Sequence, residues 1–323
     1  MTSRSSLLTP AMEALLQRIE RSRAPRFTEL GATQARAHYE RAAEVLDLPR
    51  VALPQVDEVV LTARDGAALA ARLYRARPWT SGLALQPVLL YLHGGGFTVG
   101  SLNTHDSLCR QLARRSGAAV LALDYRLAPE HRFPTAVNDA CDALRALCHG
   151  AVPGVDPRRV AVGGDSAGGT LAAVCALWAR DEGLPLVLQL LITPGTTALA
   201  DTESHRRFAK GYLLDADTVA WFFAHYLDEA QRLDWRFAPL NADDHADLAP
   251  AAVLLAECDP LVDEGLAYAD RLRFAGVPVA LHLERGVVHD FIKMGRALPA
   301  AHHAQAWCAS QLMQALGCEP LED

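Results

Sequence analysis

Residues 164–168 read Gly-Asp-Ser-Ala-Gly and place the hydroxyl of Ser166 between neighbours with almost no side-chain bulk. An apolar run at 159–163 precedes this segment, and a run typical of a helix follows at 169–174. A strand, a sharp turn and a helix in this order lift a serine hydroxyl clear of the backbone and aim a helix N-terminus at its target. The small neighbours permit the sharp turn. The pattern predicts a nucleophilic serine, with an ordinary glycine-rich turn as the alternative.

A serine hydroxyl is a weak nucleophile at neutral pH, so it needs a base within hydrogen-bond reach and an acid that orients the base. On a turn of this kind, the acid and then a histidine follow the serine along the chain. We predict Asp259 as the acid, because it comes just after the apolar strand 252–256 and sites in α/β proteins lie at strand ends. Asp263 precedes a helical pattern and is interpreted as its N-cap, while Glu257 stays as a second alternative.

The predicted base is His289, because it follows the next predicted strand, 279–283, in the required order. The chain has 12 histidines, and the others do not combine this order with this position. His282 lies within the strand. His302 and His303 are neighbours on a predicted helix and do not share a face.

An acyl-transfer site also needs N–H donors for the oxyanion that develops during attack. Ala167, the residue after the nucleophile, supplies one of them. Residues 93–97 read His-Gly-Gly-Gly-Phe and directly follow the apolar strand 87–92, and their glycines let consecutive N–H groups point at one atom. A phosphate-binding loop is the alternative, but neither a Gly-Lys-Ser/Thr segment nor a dinucleotide-binding pattern accompanies it. His93 is interpreted as a structural residue of this loop.

Short β-rich runs alternate with helical patterns along the chain. Two runs on either side of Asp65-Gly66 predict a hairpin. Apolar runs predict buried strands at 87–92, 118–123, 159–162, 186–192, 252–256 and 279–283. Helical patterns lie between them at 108–116, 136–148, 170–180 and 263–275. This alternation predicts an α/β fold with a mostly parallel central sheet flanked by helices on both faces.

Two helical segments stand outside this alternation, residues 1–47 and about 200–235. Each carries an apolar stripe at helical spacing, with Met12, Leu15, Leu16 and Ile19 in the first segment and Val219, Phe222, Phe223, Tyr226 and Leu227 in the second. Asp215 or Asp217 is the predicted N-cap of the second helix. The stripes either pack on the core or meet as a helical cap over the catalytic face, and the two outcomes are compatible. We therefore predict a catalytic domain over 48–323, with one part of the cap before it and the other inserted in it.

Composition argues against several functions. The 323 residues carry a formal net charge of −7 without a Lys/Arg cluster, which argues against nucleic-acid binding. No run approaches the ~18 apolar residues of a membrane span. Seven cysteines without a C-x-x-C pair indicate a reducing, cytoplasmic setting. Because no metal-ligand spacing occurs either, we expect no metal and no other cofactor. The oligomeric state stays open, with a homodimer as one option.

Together these motifs resemble the hormone-sensitive-lipase-like carboxylesterases, the bacterial family IV group of α/β-hydrolases. The resemblance runs in the family's order over about residues 60–292. It rests on the segments 93–97, 124–131, 164–169 and 259–265 and on His289 with Phe291. It implies an α/β-hydrolase fold and a cofactor-independent serine esterase that cleaves short- to medium-chain carboxylic esters.

The resemblance also implies roles for particular residues. By match to the family motif, the N–H groups of Gly95, Gly96 and Ala167 donate to the oxyanion. The segment 124–131 steadies the loops beside them, and a cap shapes the acyl pocket. The candidate lining residues of that pocket are Phe97, Trp221, Phe222 and Phe223.

Three residues depart from the family pattern. Asp290 stands where a glycine commonly follows the histidine, Thr193 stands where a tyrosine often precedes proline, and Thr170 replaces a frequent asparagine. A carboxylate at 290 either raises the pKa of the neighbouring imidazole or faces solvent. Two other functions stay open at this point: an amide hydrolase or deacetylase with the same triad, and a non-catalytic small-molecule binding protein on the same fold.

Overall fold

A computed structural model describes residues 7–319, and one eight-stranded sheet lies at its centre. The strands are β1 (Gln55–Thr62), β2 (Ala68–Arg75), β3 (Gln86–Leu92), β4 (Ala119–Leu123), β5 (Val155–Asp165), β6 (Leu188–Ile192), β7 (Ala251–Cys258) and β8 (Val279–Val288). Their order in the sheet is β1-β2-β4-β3-β5-β6-β7-β8. β1 pairs antiparallel with β2, β2 pairs antiparallel with β4, and the strands from β3 to β8 are parallel to one another. The predicted hairpin and mostly parallel sheet are confirmed.

Helices cover both faces of this sheet. They are α1 (Pro10–Ser22), α2 (Ala32–Leu46), α3 (Asp106–Ser116), α4 (Thr135–Cys148), α5 (Ala167–Asp181), α6 (Glu203–Arg207), α7 (Ala216–Tyr226), α8 (Val262–Phe274) and α9 (Pro299–Leu316). Because parallel crossovers are right-handed, α3 lies on the face opposite to α4, α5 and α8, and α9 packs beside α3. Among the described residues, no helix combines the length and the apolar character that crossing a bilayer requires.

The strand order sets where a site can form. β3 lies between β4 and β5, so the chain leaves β3 in one direction along the sheet and returns past it in the other. Loops that leave the carboxyl ends of β3 and β5 therefore border one crevice, which is the usual ligand position in open α/β sheets. The His-Gly-Gly-Gly-Phe loop follows β3 and Ser166 follows β5. Asp259 and His289 follow the ends of β7 and β8 at the same edge.

Two glycines let the turn after β5 lie directly against the end of β3. A Cβ atom on Gly164 or on Gly168 would overlap the carbonyl oxygen of Leu92. Neither glycine has a positive φ, whereas Ser166 between them does. Glycine is thus required at both positions because the turn approaches the backbone of β3 closely. The residue with the left-handed conformation is Ser166 itself.

The two apolar stripes outside the alternating pattern pack in different places. The stripe of α1 joins the main core, where Met12, Leu15 and Leu16 are buried and the helix lies against β8. A second, smaller cluster is formed by α2, the 3-10 turn Phe27–Glu29 and α7. The segment around 27–39, rather than α1, therefore meets α7.

Of the two predicted helix caps, the one at Asp263 is wrong and the one at Asp215 is confirmed in its position. Asp263 is not an N-cap, because α8 begins at Val262 and Leu261 holds the cap position. The Asp263 carboxylate instead accepts a hydrogen bond from the backbone N–H of Ser204, at 2.8 Å. Asp215 does hold the N-cap position of α7, but its carboxylate accepts from Gly211 N–H instead of capping the helix.

The close approach at Gly168 predicts a large loss of stability for Gly168→Ala. The added methyl group meets backbone atoms of β3 that cannot move aside, so we expect a loss of about 3 kcal/mol or more in the free energy of unfolding. Denaturant unfolding measures it. Gly31→Ala is the matched control, because nothing lies within 4 Å of a Cβ there, and we expect a change below about 1 kcal/mol. Equal stability of the two variants would contradict the packing described.

Candidate active site

Ser166 lies at the apex of the turn between β5 and α5, with φ 54° and ψ −119°. Positive φ is strained for a residue with a side chain. The conformation is held in place because the N–H of Ser166 donates to the carbonyl of Ile192, at 2.8 Å, and the serine carbonyl accepts from Thr170 N–H. The side chain projects at the N-terminus of α5, where the helix dipole favours negative charge.

The imidazole of His289 bridges Ser166 and Asp259. Its Nε2 atom is 2.9 Å from Ser166 Oγ, and its Nδ1 atom is 2.6 Å from Asp259 Oδ2. An ionised carboxylate only accepts hydrogen bonds, so Nδ1 carries the proton and Nε2 is left to accept from the serine hydroxyl. The other oxygen of Asp259 accepts from Leu261 N–H at 2.9 Å, which fixes the orientation of the carboxylate.

Burial and charge act in opposite directions on His289. Burial disfavours the imidazolium, but the neighbouring carboxylates, of which Asp259 has the largest effect, together outweigh burial and raise the pKa of His289 above its usual 6.5. Asp290 and Asp165 act in the same direction as Asp259. The site therefore stabilises a positive charge on the imidazole, as a general base requires after it accepts a proton.

The alternatives weighed for the acid and the base lie elsewhere. Glu257 accepts from Gly286 N–H at 2.8 Å and thereby ties β7 to β8. His282 pairs with Glu284 on β8, and His302 contacts the carbonyl of Gly295. Among the described residues, no group of three His, Cys, Asp or Glu side chains is arranged to hold a metal ion.

The loop of residues 93–99, called here the oxyanion loop, lies beside Ser166. Gly94 N–H donates to Asp165 Oδ1 at 3.1 Å. Within residues 7–319, the N–H groups of Gly95, Gly96 and Ala167 donate no hydrogen bond. Gly95 and Gly96 have φ values of 122° and 56°. One N–H of the loop thus supports the loop itself, and the next two have no acceptor among the described residues.

A buried polar network supports the oxyanion loop from below. Asp165 accepts from Tyr91 Oη at 2.6 Å and contacts His105 Nε2 at 3.1 Å. Burial opposes the charge on Asp165, but His105 and these hydrogen bonds outweigh it and keep its pKa well below the usual range. His93 stacks on Tyr125, whose hydroxyl donates to the His93 carbonyl at 2.7 Å. Burial and the nearby His105 lower the pKa of His93 to about 3, so it is neutral and structural.

Helix α2 holds the oxyanion loop from above, a role that sequence analysis missed. Arg36 donates from Nε to the carbonyl of Thr98 at 2.9 Å and from Nη2 to the carbonyl of Ala128 at 2.8 Å, and it forms an ion pair with Glu130. Ala128 N–H in turn donates to the Phe97 carbonyl at 2.8 Å. The segment 124–131 and α2 therefore hold the loop together.

Asp290 does not simply face solvent. It is in the left-handed conformation with φ 66°, which accounts for the glycine expected at this position. Its Oδ2 atom accepts from Tyr39 Oη at 3.1 Å and lies 3.4 Å from the ammonium of Lys293. Lys293 is 5% exposed and also donates to Tyr39 Oη, at 2.5 Å. Burial opposes its charge, but Asp290, Tyr39 and Asp165 together outweigh burial and raise the pKa of Lys293.

An apolar cleft, called here the acyl cleft, opens beside Ser166, Gly96 and Ala167. The aromatic and aliphatic side chains that line it are Phe97, Ala198, Ala200, Leu214, Val219, Phe222, Phe223, Phe237 and Leu261. Phe222 lies over the oxyanion loop, because a Cβ atom on Gly96 would overlap its ring. Trp221 is not among the lining residues; its ring stacks on Phe27, with centroids 6.2 Å apart. Of the four side chains suggested for the pocket, the structure therefore places three at the cleft.

Known proteins share both the sequence and the fold. Residues 89–293 match a family model described as alpha/beta hydrolase fold. An ethyl acetate hydrolase from Pseudomonas putida is 43% identical over 317 residues, which cover 96% of this chain and 99% of that protein. The esterase LipI from Mycobacterium tuberculosis is 43% identical over 264 residues, covering 80% and 82% of the two chains. A hyperthermophilic esterase from the archaeon Pyrobaculum calidifontis superposes with a TM-score of 0.89 at 36% identity, covering 95% and 98%.

The sheet order, together with a strand-turn-helix unit that carries a serine at its apex, defines an α/β-hydrolase. The family model covers more than half of the chain, and the relatives extend the similarity over most of its length. The chain belongs to the hormone-sensitive-lipase-like, bacterial family IV carboxylesterases of the α/β-hydrolase fold.

The raised pKa of His289 predicts the pH dependence of catalysis. The imidazole must be neutral to accept the serine proton, so activity is lost as pH falls through the pKa of His289 in the folded enzyme. Since that pKa is raised, the acidic limb of the kcat/KM profile has its midpoint above 6.5. A pH series with a neutral ester measures it, and a midpoint well below 6.5 would show that Asp259 does not stabilise the imidazolium.

The pairing of Asp290 with Lys293 predicts that two variants shift the midpoint of the acidic limb of the kcat/KM profile in opposite directions. Lys293→Met leaves the Asp290 charge unbalanced beside His289, so the midpoint rises; Asp290→Asn removes the charge, so it falls. We expect roughly half a pH unit in each direction. Asparagine tolerates the left-handed conformation, which keeps the backbone in place. Shifts of the same sign in both variants would exclude an electrostatic effect of this pair on His289.

Proposed function

We propose that this carboxylesterase hydrolyses short- to medium-chain carboxylic esters in two steps, through an acyl-enzyme on Ser166. The observation that carries the proposal is a chain of two hydrogen bonds. One joins Asp259 Oδ2 to His289 Nδ1 at 2.6 Å, and the other joins His289 Nε2 to Ser166 Oγ at 2.9 Å. Gly96 and Ala167 line the same cleft as Ser166, and the N–H groups of Gly95, Gly96 and Ala167 donate no hydrogen bond within the described residues. A nucleophile, its base, the group that orients the base and the oxyanion donors are the parts that acyl transfer needs.

In the first step, Ser166 Oγ attacks the ester carbonyl while His289 Nε2 takes the hydroxyl proton. Asp259 stabilises the imidazolium that results, and the carbonyl oxygen becomes an oxyanion that accepts from the N–H groups of Gly95, Gly96 and Ala167. The bond to the alcohol oxygen then breaks, and His289 donates its proton to that oxygen. In the second step, His289 takes a proton from water while the water oxygen attacks the acyl carbon. The bond from that carbon to Ser166 Oγ then breaks, and His289 returns its proton to Oγ, which releases the acid and restores Ser166.

The acyl cleft supports an orientation for the substrate. His289 must lie beside the alcohol oxygen to protonate it, and His289 is not among the residues that line the cleft. The acyl group therefore points away from His289 and enters the cleft, whose walls are mainly apolar. The cavity volume there is about 60 Å³, which favours a small acyl group. The name of the Pseudomonas putida relative, ethyl acetate hydrolase, supports a small acyl group as well.

We also propose that the 3-10 turn at 27–29, α2 and α7 form a cap over the acyl cleft, one part within residues 1–47 and the other within 200–235. The stacking of Phe27 on Trp221 joins the two parts. Phe222 connects the cap to the oxyanion loop at Gly96. In this proposal Trp221 holds the cap together, whereas Phe222 and Phe223 contact the acyl group.

The enzyme is proposed to act in the cytoplasm. All seven cysteines are free thiols in the structure, and five of them are buried. Buried thiols that form no disulfide are typical of proteins that fold in a reducing compartment.

Replacement of Ser166 tests the proposed nucleophile. We expect Ser166→Ala to lower kcat for p-nitrophenyl butyrate by several orders of magnitude, because it removes the atom that forms the acyl-enzyme. Ser310→Ala is the matched control, since that exposed hydroxyl contacts only its own helix, and it should keep the wild-type rate. Activity of Ser166→Ala within about tenfold of wild type would reject the assignment.

A matched anilide, assayed in parallel with the ester, separates an esterase from an amide hydrolase.

A further inference from the structure

Two ionisable side chains face the acyl cleft among its apolar residues. His205 and Glu264 both line the cleft, although they are only 9% and 1% exposed. Neither takes part in the proposed reaction. Buried ionisable groups are costly unless they are paired and fully hydrogen-bonded, so their position at the substrate cleft needs an explanation.

The carboxylate of Glu264 is only half satisfied. Its Oε1 atom accepts from the N–H groups of Thr196 and Thr197, at 2.5 and 3.3 Å. Its Oε2 atom is buried and accepts no hydrogen bond from the described residues. His205 Nε2 lies 3.3 Å away, close enough for electrostatic attraction but without hydrogen-bond geometry. Burial raises the pKa of Glu264, and His205 opposes that rise.

The ring of His205 is oriented from its other side. Its Nδ1 atom lies 2.7 Å from Thr202 Oγ1. When Nδ1 accepts from the threonine hydroxyl, the proton of the neutral ring resides on Nε2. An N–H donor and a carboxylate acceptor then stand side by side at the cleft, and neither is fully used by the protein.

The pair is linked to the nucleophile through one short path. Thr170 lies one helical turn after Ser166, and its Oγ1 atom donates to the carbonyl of Gly195 at 2.6 Å. The next residue, Thr196, donates its N–H to Glu264. The same cleft wall thus runs from Ser166 to the His205–Glu264 pair, on the side to which the proposed mechanism assigns the acyl group.

We propose that His205 and Glu264 form a polar subsite that binds a hydroxyl group carried by the acyl chain of the ester. A hydroxyl oxygen accepts from His205 Nε2, and its proton is donated to Glu264 Oε2, so one group satisfies both. An alkyl group at the same position neither donates to Glu264 Oε2, which therefore stays without a hydrogen bond, nor accepts from His205 Nε2, and this costs more than the contact gains. The preferred substrates are hydroxyacyl esters. This inference rests on the proposed ester hydrolysis and on the acyl group entering the cleft.

A matched pair of esters tests the subsite. Ethyl 3-hydroxybutanoate and ethyl 3-methylbutanoate differ by one hydroxyl in place of one methyl, and acid release in a pH-stat follows both. Each kcat/KM is divided by the hydroxide-catalysed rate constant of the same ester to correct for intrinsic reactivity. The hydroxyl-to-methyl ratio is the corrected value of the hydroxy ester over that of the methyl ester, and we expect it to be about ten for one enantiomer. A ratio at or below one for both enantiomers, measured with the wild-type enzyme, is enough to overturn the subsite.

Three variants locate the preference. His205→Phe removes the donor, and Glu264→Gln keeps an acceptor for Thr196 and Thr197 but turns the second oxygen into a donor. Either change should reduce the hydroxyl-to-methyl ratio by about tenfold. Phe223→Leu is the matched control, because it alters the same cleft without altering its polarity and should keep the ratio. A ratio that persists in His205→Phe and Glu264→Gln would overturn the assignment.

Ethyl butanoate distinguishes failure of the subsite from failure of the esterase function. If the wild-type enzyme hydrolyses ethyl butanoate through Ser166 but shows no hydroxyl preference, the subsite fails and the esterase function stands. If no ester is hydrolysed, the proposed function itself fails.

Discussion

The end of β3 and the turn after β5 approach so closely that no side chain fits between them. Gly164 and Gly168 lie against the carbonyl of Leu92, and a single Cβ atom at either position overlaps that oxygen. This contact sets the nucleophile in a strained conformation that the surrounding backbone holds in place. It also brings the oxyanion loop, which begins just after Leu92, beside the N-terminus of α5. The contact thus places Ser166 beside the oxyanion loop, and Asp165 and Arg36 then hold that loop.

Charge is distributed around this contact so that nearly every buried ionisable group has a partner. Asp165 supports the oxyanion loop, Asp259 orients the imidazole, and Lys293 balances Asp290. Pairing of this kind offsets the cost of burial. Helix α2 contacts both halves of the site, the oxyanion loop through Arg36 and the histidine loop through Tyr39. Residues that precede β1 therefore contribute to the geometry of the site.

Local patterns predicted the sheet and the elements that carry the chemistry. Apolar runs marked the strands because the sheet is covered on both faces, and the candidate acid and histidine could be chosen because each follows a strand end. Side chains whose role comes from distant contacts could not be found in this way. Arg36 and Tyr39 act on loops 62 and 251 residues further along the chain. Their own surroundings in the sequence are those of an ordinary surface helix.

The errors have the same origin. Asp263 has the sequence context of a helix cap, but a tertiary hydrogen bond with Ser204 decides its position. Trp221 and Phe222 are adjacent on α7, so helical geometry turns them to different sides, and only Phe222 faces the cleft. The pairing of His205 with Glu264 joins residues 59 positions apart, and it carries no motif that sequence analysis could have recognised.

The most direct test is the crystal structure of the enzyme after reaction with a p-nitrophenyl alkylphosphonate, whose tetrahedral adduct mimics the first intermediate. The account predicts phosphorus bonded to Ser166 Oγ, with the phosphonyl oxygen about 3 Å from the backbone nitrogens of Gly95, Gly96 and Ala167. The alkyl group should lie in the cleft beneath Phe222. An adduct on another residue, or a phosphonyl oxygen that points away from these N–H groups, would contradict it.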